Sequence, residues 1–350
     1  MYVLELGGED DAFAACEAAS AAADVDIVGP GLATATTIAP DRVCTLAYTH
    51  RVSEVLGRAD ASVAGARAVL SASSLDRDGT VAVRARDVRG SSGVDTQAVE
   101  RELGGVLVDR GFAVDLDDPD HELRAVFSRG EPSGDADVDA ADVCYLGWLT
   151  AESVRDYGDR TPTNRPFFQP GSMDPLLARA LANIAGAAPG RTVLDPMCGT
   201  GGVLVEAGLV GARVLGNDAQ RRMVRGSREN LRAFLDDDGE YGIVRGDATS
   251  LPFADEPVDA GEHSPSSPRS WTVDGVVFDA PYGRQSKIAT HDLDDLVAGA
   301  LAEARRLAPR TVMVADRSWV GIARDAGWEI ASSFERRVHR SLTRYVLVLE

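Results

Sequence analysis

The sequence predicts an α/β protein in which a mostly parallel sheet with antiparallel closing strands follows a smaller α+β domain. Repeated strand–helix units fill the second half of the 350-residue chain, and the last two strands follow one another with no helix between them. The first half mixes strands and helices without a glycine loop. Alternating units are typical of a parallel sheet, and a closing strand pair predicts an antiparallel edge. We place the two domains at residues 1–156 and 157–350, each long enough to bury its own core.

The first domain has the pattern of a small α+β module. Alternation in "MYVLEL" predicts an opening strand, and in "GTVAVRARDV" it predicts a half-buried strand that carries Arg84 and Arg86 outward. Helical spacing occurs in "DDAFAACEAASAAA", "SVAGARAVLSAS" and "TQAVERELGGVLVDRG". "FAVDLDDPDHELRAVFS" predicts two strands around a turn, and the polar "RGEPSGDADVDAAD" predicts a long loop or the start of a linker.

The second domain is a series of strands and helices. The predicted strands are "RTVLD", "RVLGNDA", "YGIVRGDAT", "VDGVVFDAPYG" and "RTVMVAD". Helices are predicted at "GGVLVEAGLVG", "QRRMVRGSRENLRAFL" and "DLDDLVAGALAEARRLA", and the closing pair is "GWEIASSFERRV" and "RSLTRYVLVLE". Residues 254–272 are rich in Pro and Ser and interrupt one unit, so we predict a surface insertion there.

The composition favours a cytoplasmic protein adapted to high salt. No apolar run approaches ~20 residues, and "MYVLELGGEDDAF" lacks a signal-peptide pattern, so no membrane contact is expected. Four scattered cysteines without a CxxC pair argue against zinc and disulfides. Formal net charge is −19, yet Lys287 is the only lysine among 36 basic residues. In a halophilic cytoplasm a Debye length of roughly 3 Å or less screens this charge, so it does not exclude an RNA partner.

Four acidic residues stand at the ends of predicted strands: Asp195, Asp218, Asp247 and Asp279. Each alone could be a helix cap or a turn former. Ligands of open α/β sheets bind at the carboxyl ends of the strands. We therefore expect the four carboxylates to surround one cleft.

The glycine loop "LDPMCGTGG" lies between the first of these strands and a helix. Gly199 and Gly201 allow a tight turn and close approach of a ligand, while the loop matches neither GxGxxG nor a phosphate-binding loop. The helix N-terminus suits a carboxylate, and Asp195 suits an ammonium group. Asp218 is placed for ribose hydroxyls and Asp247 for an adenine amino group. Together these residues predict S-adenosylmethionine as the cofactor.

"DAPYG" follows the fourth strand beside that cleft. An exocyclic amine on a base is a poor nucleophile because its lone pair is delocalised into the ring. Asp279 and a backbone carbonyl could accept both N–H bonds and free that lone pair, with Pro281 stiffening the turn and Tyr282 stacking on the base. This pattern predicts an amino-group methyltransferase, and the alternative is an ordinary Asx-Pro turn with a packing tyrosine.

These motifs resemble known families. "LDPMCGTGG" with "DAPYG" is similar to Rossmann-like class I S-adenosylmethionine-dependent methyltransferases that use a [DN]-P-P-[YF] motif, from which Ala280 departs. "NRPFFQPGSMDPLLARALANIAG" and "HRSLTRYVLVLE" resemble the archaeal tRNA guanine-10 N2-dimethyltransferase family. "VAVRARDV" and "FAVDLDDPDHELRAVF", within about residues 45–130, resemble a THUMP domain. The resemblance implies tRNA as the partner and the N2 amine of a guanine as the acceptor.

A tRNA partner would need positive charge in local patches. Arg221, Arg222 and Arg225 follow one another along a predicted helix, and Arg84 and Arg86 lie on the THUMP-like strand. A further set on the closing hairpin comprises Arg336, Arg337, Arg340 and Arg344. Such arginines could contact phosphates, or they could pair with the many carboxylates of the chain.

Other functions are compatible with parts of the sequence. An rRNA guanine N2-methyltransferase or a DNA adenine N6-methyltransferase would share the cleft, although the THUMP-like half argues against DNA. A non-catalytic RNA-binding protein would not need an intact glycine loop or Asp279. The sequence does not decide the oligomeric state, for which a monomer is the simplest expectation.

Overall fold

The structure is a computed structural model of the chain. It describes residues 1–133, 140–235, 240–253, 272–282, 292–339 and 342–350. The chain divides into two compact units, Met1–Arg155 and Asp156–Glu350. The insertion predicted at 254–272 lies outside the described residues except for its last position. Within the described ranges, no helix combines the length and apolarity needed to cross a membrane.

The first unit is built on one large sheet. Its strands are β1 (Tyr2–Leu6), β2 (Ala22–Ala23), β3 (Asp26–Gly29), β4 (Leu32–Ala35), β5 (Thr37–Ile38), β6 (Thr49–Ala59), β7 (Thr80–Asp87), β8 (Ala113–Val114), β9 (His121–Gly130) and β10 (Ala141–Glu152). Its helices are α1 (Asp11–Ala18), α2 (Pro40–Val43), α3 (Val63–Ala72) and α4 (Thr96–Asp109). The sheet order is β3-β4-β1-β6-β10-β9-β7-β8, and β2 pairs with β5 separately. A core that includes Leu70 of α3, Leu103 of α4 and Phe127 of β9 joins both helices to the sheet.

The two longest strands of this sheet, β6 and β10, were not predicted. β10 is buried from Val143 to Trp148, so its side chains form a continuous apolar run instead of an alternating one. It also begins within the last two residues of the polar stretch that we assigned to a loop or linker. The first unit is therefore larger and richer in β-structure than the predicted small module.

The second unit contains the predicted β–α series. Its strands are β11 (Thr192–Asp195), β12 (Arg213–Asp218), β13 (Tyr241–Arg245), β14 (Gly275–Asp279), β15 (Thr311–Ala315), β16 (Ile330–His339) and β17 (Leu342–Leu349). Its helices are α5 (Pro175–Ile184), α6 (Gly202–Leu209), α7 (Arg221–Phe234), α8 (Leu293–Leu307) and α9 (Val320–Asp325). The sheet order is β13-β12-β11-β14-β15-β17-β16. The first five strands in this order are parallel, and β17 is antiparallel to both β15 and β16, which confirms the predicted fold class.

The strand order reverses beside β11. The chain moves from β11 to β12 and β13 on one side, then crosses to β14 and β15 on the other. Carboxyl ends on either side of such a reversal diverge and leave a crevice for a ligand. Asp195, Asp218 and Asp279 are the last residues of β11, β12 and β14, so the topology brings these three carboxylates to the crevice.

A buried ion network supports the helix that follows the glycine loop. Glu206 of α6 has no exposed surface, and it accepts from Nε of Arg160 and Nη2 of Arg179, each at 2.8 Å. Both arginines are themselves 5% exposed. Two buried guanidinium groups therefore share one fully buried carboxylate.

Replacing that carboxylate should destabilise the second unit. In Glu206→Ala both arginines would lose their shared buried carboxylate, although Asp156 still pairs with Arg160 at 2.9 Å, and breaking a buried pair in this way costs about 3–5 kcal/mol. Urea unfolding at fixed salt measures the loss. The matched control is Glu240→Ala, which removes a pair with Arg213 whose side chains are 33% and 42% exposed, and it should cost less than about 1 kcal/mol. Equal losses in the two variants would contradict the role of Glu206.

Candidate active site

The glycine loop connects β11 to α6 in a tight, left-handed path. Gly199 has φ +52° and Gly201 has φ +75°, a region that residues with a side chain rarely adopt. A Cβ atom on Gly201 would lie 2.9 Å from Cβ of Ser227, so close packing on α7 also requires glycine there. At Gly199 a Cβ would meet no atom within 4 Å, which leaves open space beside the loop. The N-terminus of α6, with its unpaired N–H groups, follows directly and favours an anion.

Asp218 holds the loop in place. Its Oδ2 accepts from the Gly199 N–H at 3.0 Å, and its Oδ1 accepts from the Gln220 N–H at 2.8 Å. A carboxylate has about four acceptor positions, so two remain for hydroxyl groups of a ligand. Asp218 thus both shapes the loop and remains available for the predicted ribose contact.

The sequence analysis missed Asn217, the residue before Asp218. Its Nδ2 donates to the carbonyls of Pro196 and Gly246 at 3.0 and 3.2 Å, and the residue is fully buried. It therefore ties the turns after β11 and β13 to β12. A polar residue within an apolar strand was the available signal, but the neighbouring aspartate took the functional interpretation.

Asp247 lies two residues after β13 and is engaged in its own turn. Its Oδ1 accepts from the Thr249 N–H at 2.9 Å and from the Thr249 hydroxyl at 2.8 Å. This is the turn-forming role weighed as the alternative for an isolated aspartate. The contact of Asp247 with an adenine amino group stays a prediction.

Three carboxyl groups lie close to one another in the crevice. Burial raises the pKa of Asp195 well above its usual range; the Met197 N–H opposes this rise, while Asp218 and Asp279 add to it. Burial also raises the pKa of Asp218, against the two N–H donors that it accepts from. A cationic ligand would relieve this repulsion. S-adenosylmethionine carries an ammonium and a sulfonium group, so the site fits that cofactor.

Asp279 is hydrogen-bonded to the tyrosine of the same turn. The Tyr282 hydroxyl donates to Oδ1 of Asp279, and it accepts from Nε of Arg344 at 3.2 Å. Burial raises the pKa of Asp279 to about 6; Arg344 and the Tyr282 hydrogen bond lower it, and Asp316 raises it. Burial likewise raises the pKa of Tyr282, which keeps its hydroxyl a donor.

The departure from the family motif at Ala280 has a structural counterpart. The Ala280 N–H donates to the carbonyl of Val314 in β15 at 2.8 Å, and Ala280 is 3% exposed. A proline has no N–H and could not form this bond. The alanine thus anchors the turn to the neighbouring strand by a hydrogen bond. Pro281 follows it and is half-buried.

The predicted RNA-contact arginines differ in their surroundings. Arg221, Arg222 and Arg225 are exposed on α7, and the Arg222 guanidinium lies 5.4 Å from the centre of the Phe167 ring. In the first unit, Arg84 donates to the carbonyl of Leu116, and Arg86 pairs with buried Glu5 at 3.1 Å.

The closing hairpin does not present all its arginines to solvent. Arg344 is 6% exposed and lies at Tyr282, so its assignment to a surface patch was wrong. Arg337 is exposed, and Arg340 lies outside the described residues.

Comparison with known proteins finds a matching domain family and similar relatives. Residues 162–345 match the model of the UPF0020 family, described as an RMKL-like methyltransferase domain. A tRNA (guanine(10)-N2)-dimethyltransferase of Methanothermobacter thermautotrophicus is 35% identical over 311 residues, covering 87% of this chain and 83% of the relative. Another, from Pyrococcus abyssi, is 29% identical over 276 residues, which cover 78% of this chain and 74% of that relative. The solved structure of TrmN from Thermus thermophilus is 22% identical in sequence and has a TM-score of 0.47. The match covers 100% of this chain and 99% of the TrmN chain.

The fold and the matched domain together define an S-adenosylmethionine-dependent methyltransferase. The relevant features are a parallel sheet with a strand-order reversal, a glycine loop and an acidic crevice. More particularly, the chain belongs to the tRNA (guanine(10)-N2)-dimethyltransferase family.

Removing the Asp218 carboxylate should weaken cofactor binding. Asp218→Ala would free the Gly199 and Gln220 N–H groups and delete the predicted acceptor for the ribose, so S-adenosylmethionine affinity should fall by on the order of 10- to 100-fold. Isothermal titration calorimetry with the full chain measures this.

The matched control for this experiment is Asp274→Ala. Asp274 also accepts from a backbone N–H, that of Thr192 at 2.8 Å, but at the opposite, amino end of β11. Its loss should leave cofactor affinity close to that of the wild type. Wild-type affinity in Asp218→Ala would show that the end of β12 is not part of the cofactor site.

Proposed function

We propose that the protein transfers methyl groups from S-adenosylmethionine to the exocyclic N2 amine of guanine 10 in tRNA. The observation that carries this proposal is Asp279, a carboxylate at the strand-order reversal, beside the glycine loop and hydrogen-bonded to Tyr282. The relatives that cover most of the chain are named for this reaction.

The proposed chemistry depends on acceptors for the amine protons. Asp279 and the carbonyl of Ala280 accept the two N–H bonds of the guanine amine and draw the nitrogen towards tetrahedral geometry. S-adenosylmethionine, when bound, supplies a methyl group activated by its positively charged sulfur. The nitrogen lone pair forms the new N–C bond as the C–S bond breaks, and a proton leaves the nitrogen towards Asp279. Pro281 stiffens the turn, and the Tyr282 ring stacks on the base.

Cofactor binding is assigned to the other end of the crevice. The N-terminus of α6, reached through Gly199 and Gly201, faces the amino-acid carboxylate of the cofactor, and Asp195 faces its ammonium group. Asp218 accepts from the ribose hydroxyls, and Asp247 accepts from the adenine amino group. The burial of Asp195 between two further carboxyl groups supports a cationic ligand.

We assign a phosphate-binding role to an arginine row on α7, defined by Arg221, Arg225, Arg228 and Arg232. These positions fall within about 60° of one another around the helix and span about 16 Å along it. All four side chains are exposed, and only Arg228 donates to another described residue, the carbonyl of Ile243. Arg222 flanks the row and stacks on Phe167.

The first unit is proposed to contribute a THUMP-like RNA-binding surface within about residues 45–130. Arg84 and Arg86 are its candidate contacts. Their partners inside the unit, Leu116 and Glu5, leave each side chain 37% exposed. They are therefore weaker candidates for phosphate contact than the arginine row.

The composition supports a halophilic, cytoplasmic setting. With a net charge of −19 and almost only arginine as the basic residue, the chain would repel RNA at low ionic strength except at local basic patches. Assays of this proposal therefore belong at high salt. A monomer remains the simplest proposal for the oligomeric state.

One experiment tests the reaction directly. The full chain is incubated at high salt with methyl-labelled S-adenosylmethionine and, in separate reactions, with unmodified tRNA, rRNA or DNA, and the nucleic acid is digested to nucleosides. Label in N2-methylated guanosine from position 10 supports the proposal. Label only in rRNA guanine or in DNA adenine would favour the alternative methyltransferases, and absence of cofactor binding would favour a non-catalytic RNA-binding protein.

Asp279→Ala should abolish most methyl transfer while cofactor affinity changes little. An acceptor that acts mainly in the transition state contributes roughly 100-fold or more to the rate. Single-turnover labelling of tRNA measures the rate, and calorimetry checks the cofactor. Asp325→Ala, the same change at an exposed position at the end of α9, should retain the wild-type rate. An unaltered rate in Asp279→Ala would refute the assignment.

Neutralising the arginine row should weaken tRNA binding. The triple change Arg221→Gln, Arg225→Gln and Arg232→Gln should raise the Kd for tRNA on the order of 10-fold or more. It should also reduce the slope of log K against log salt by roughly one unit for each lost phosphate contact. Filter binding over a salt series measures both quantities.

The control for the row carries the same change in net charge. It replaces three arginines of the same unit by glutamine: Arg191 and Arg324, which are exposed, and Arg213, which is half-buried. A variant with Arg84→Gln and Arg86→Gln tests the first unit in parallel. If the α7 variant and the charge control lose the same affinity for tRNA, the effect comes from net charge and the arginine row has no specific phosphate-binding role.

A further inference from the structure

Arg344 is a buried arginine at the proposed active site. Its side chain lies on β17, and the residue is 6% exposed. Nε donates to the Tyr282 hydroxyl at 3.2 Å, and that hydroxyl donates to Oδ1 of Asp279. Among the residues that the structure describes, Arg344 forms no ion pair within 4.0 Å. Burying a guanidinium costs free energy that its hydrogen bonds must offset, so its position at this turn needs an explanation.

The topology explains how a residue so late in the chain reaches this site. Asp279 lies opposite Val314 of β15, and Val314 lies opposite Val346 of β17. Residues in register share a face of the sheet, and so do residues two apart along a strand. Arg344 is therefore on the same face as Asp279. Because β17 is antiparallel, its first residues extend past the carboxyl ends of β14 and β15.

We propose that Arg344 is a positioning residue for methyl transfer: it holds the Tyr282 hydroxyl on Oδ1 of Asp279 and leaves Oδ2 for the substrate amine. The inference rests on the function proposed above. A carboxylate free to rotate would offer either oxygen, or its less suitable lone pairs, to the amine. With Oδ1 occupied, the plane of the carboxylate is fixed by a chain of two hydrogen bonds that ends on a rigid strand.

The same arrangement keeps the acceptor ionised. The charged groups around Asp279 are Arg344 on β17, Asp316 after β15 and Asp195 at the end of β11. Burial raises the pKa of Asp279 to about 6, and the Arg344 guanidinium opposes that rise. Only the ionised form can take the proton that leaves the amine, so activity should be present above this pKa and be lost as the pH falls through it. Without Arg344 the loss should begin at a higher pH.

Phosphate binding is the competing role for Arg344, as expected from its place among hairpin arginines. Burial at 6% exposure and donation to Tyr282 argue against it. The two roles predict different kinetics. A phosphate contact would raise the KM for tRNA and leave the pH dependence of the bound complex unchanged, whereas a positioning residue would lower the rate at saturating tRNA.

The test is single-turnover methylation at saturating tRNA and cofactor across the pH range, with the full chain. Arg344→Met should lower the rate at neutral pH by roughly 10- to 100-fold, the scale of a lost transition-state contact, and should move the acidic limb upward. Arg344→Lys retains the charge and should leave the limb near its wild-type position. Tyr282→Phe should also move the limb upward, because it removes a donor to Asp279. The double variant Arg344→Met with Tyr282→Phe should lose less than the product of the single effects, because both act through one hydrogen-bond chain.

Controls separate folding from mechanism. Cofactor affinity by calorimetry should match the wild type in every variant that retains its fold. The proposal would be overturned in favour of a structural role by three results together. Arg344→Met would be slower, the acidic limb of its pH–rate profile would not move, and the effects of the single changes would multiply in the double variant. A raised KM with an unchanged saturated rate would overturn it in favour of phosphate binding.

Failure of the proposed function would look different. If the wild-type chain binds cofactor but transfers no methyl group to tRNA, the function itself fails. A titration of the Asp279 carboxyl carbon by NMR, assigned with Asp279→Asn, then tests the arrangement without substrate. An upward shift of the midpoint in Arg344→Met would support the coupling between Arg344 and Asp279, and equal midpoints would overturn it. If the wild type is active and Arg344→Met has the same rate and the same acidic limb of the pH–rate profile, the inference about Arg344 is overturned while the proposed function stands.

Discussion

Electrostatic repulsion among three carboxyl groups is the constraint around which the second unit is arranged. Asp195, Asp218 and Asp279 end strands on both sides of the strand-order reversal, and burial removes much of the water that would screen them. Backbone N–H groups offset part of this cost at Asp195 and Asp218. At Asp279 the compensation comes from a tyrosine hydroxyl and a guanidinium. The negative charge that remains uncompensated favours a cation, and a sulfonium cofactor brings a positive charge.

Buried arginine recurs through the chain as the partner of buried acceptors. Arg124 pairs with Glu5 at 2.6 Å in the first unit, and Arg160 and Arg179 share Glu206 in the second. The planar guanidinium has five donors in a fixed geometry, so it can bind a carboxylate and a carbonyl at once. The near absence of lysine is thus matched by interior roles that an ammonium group would fill poorly.

The sequence was informative where structure is local and periodic. The β–α series and the closing strand pair follow from hydrophobic spacing, and the aspartates at the ends of β11, β12 and β14 follow from where that spacing stops. β10 was missed because a continuous run of buried residues has no alternation, and β6 was missed because it is mostly half-buried and polar residues interrupt its apolar pattern. Arg344 was misplaced because its partner is 62 residues away, and only strand register brings the two together. Asn217 was hidden beside a more conspicuous carboxylate.

The hydrogen bond from Ala280 to Val314 gives the turn after β14 a property that a proline ring would not. A turn anchored by an amide can detach from β15 and re-form, and each detachment exposes one exchangeable proton. The stability of the acceptor geometry is therefore carried by an amide whose deuterium exchange can be followed residue by residue. The rate of deuterium exchange at the Ala280 amide therefore reports how often the turn after β14 opens.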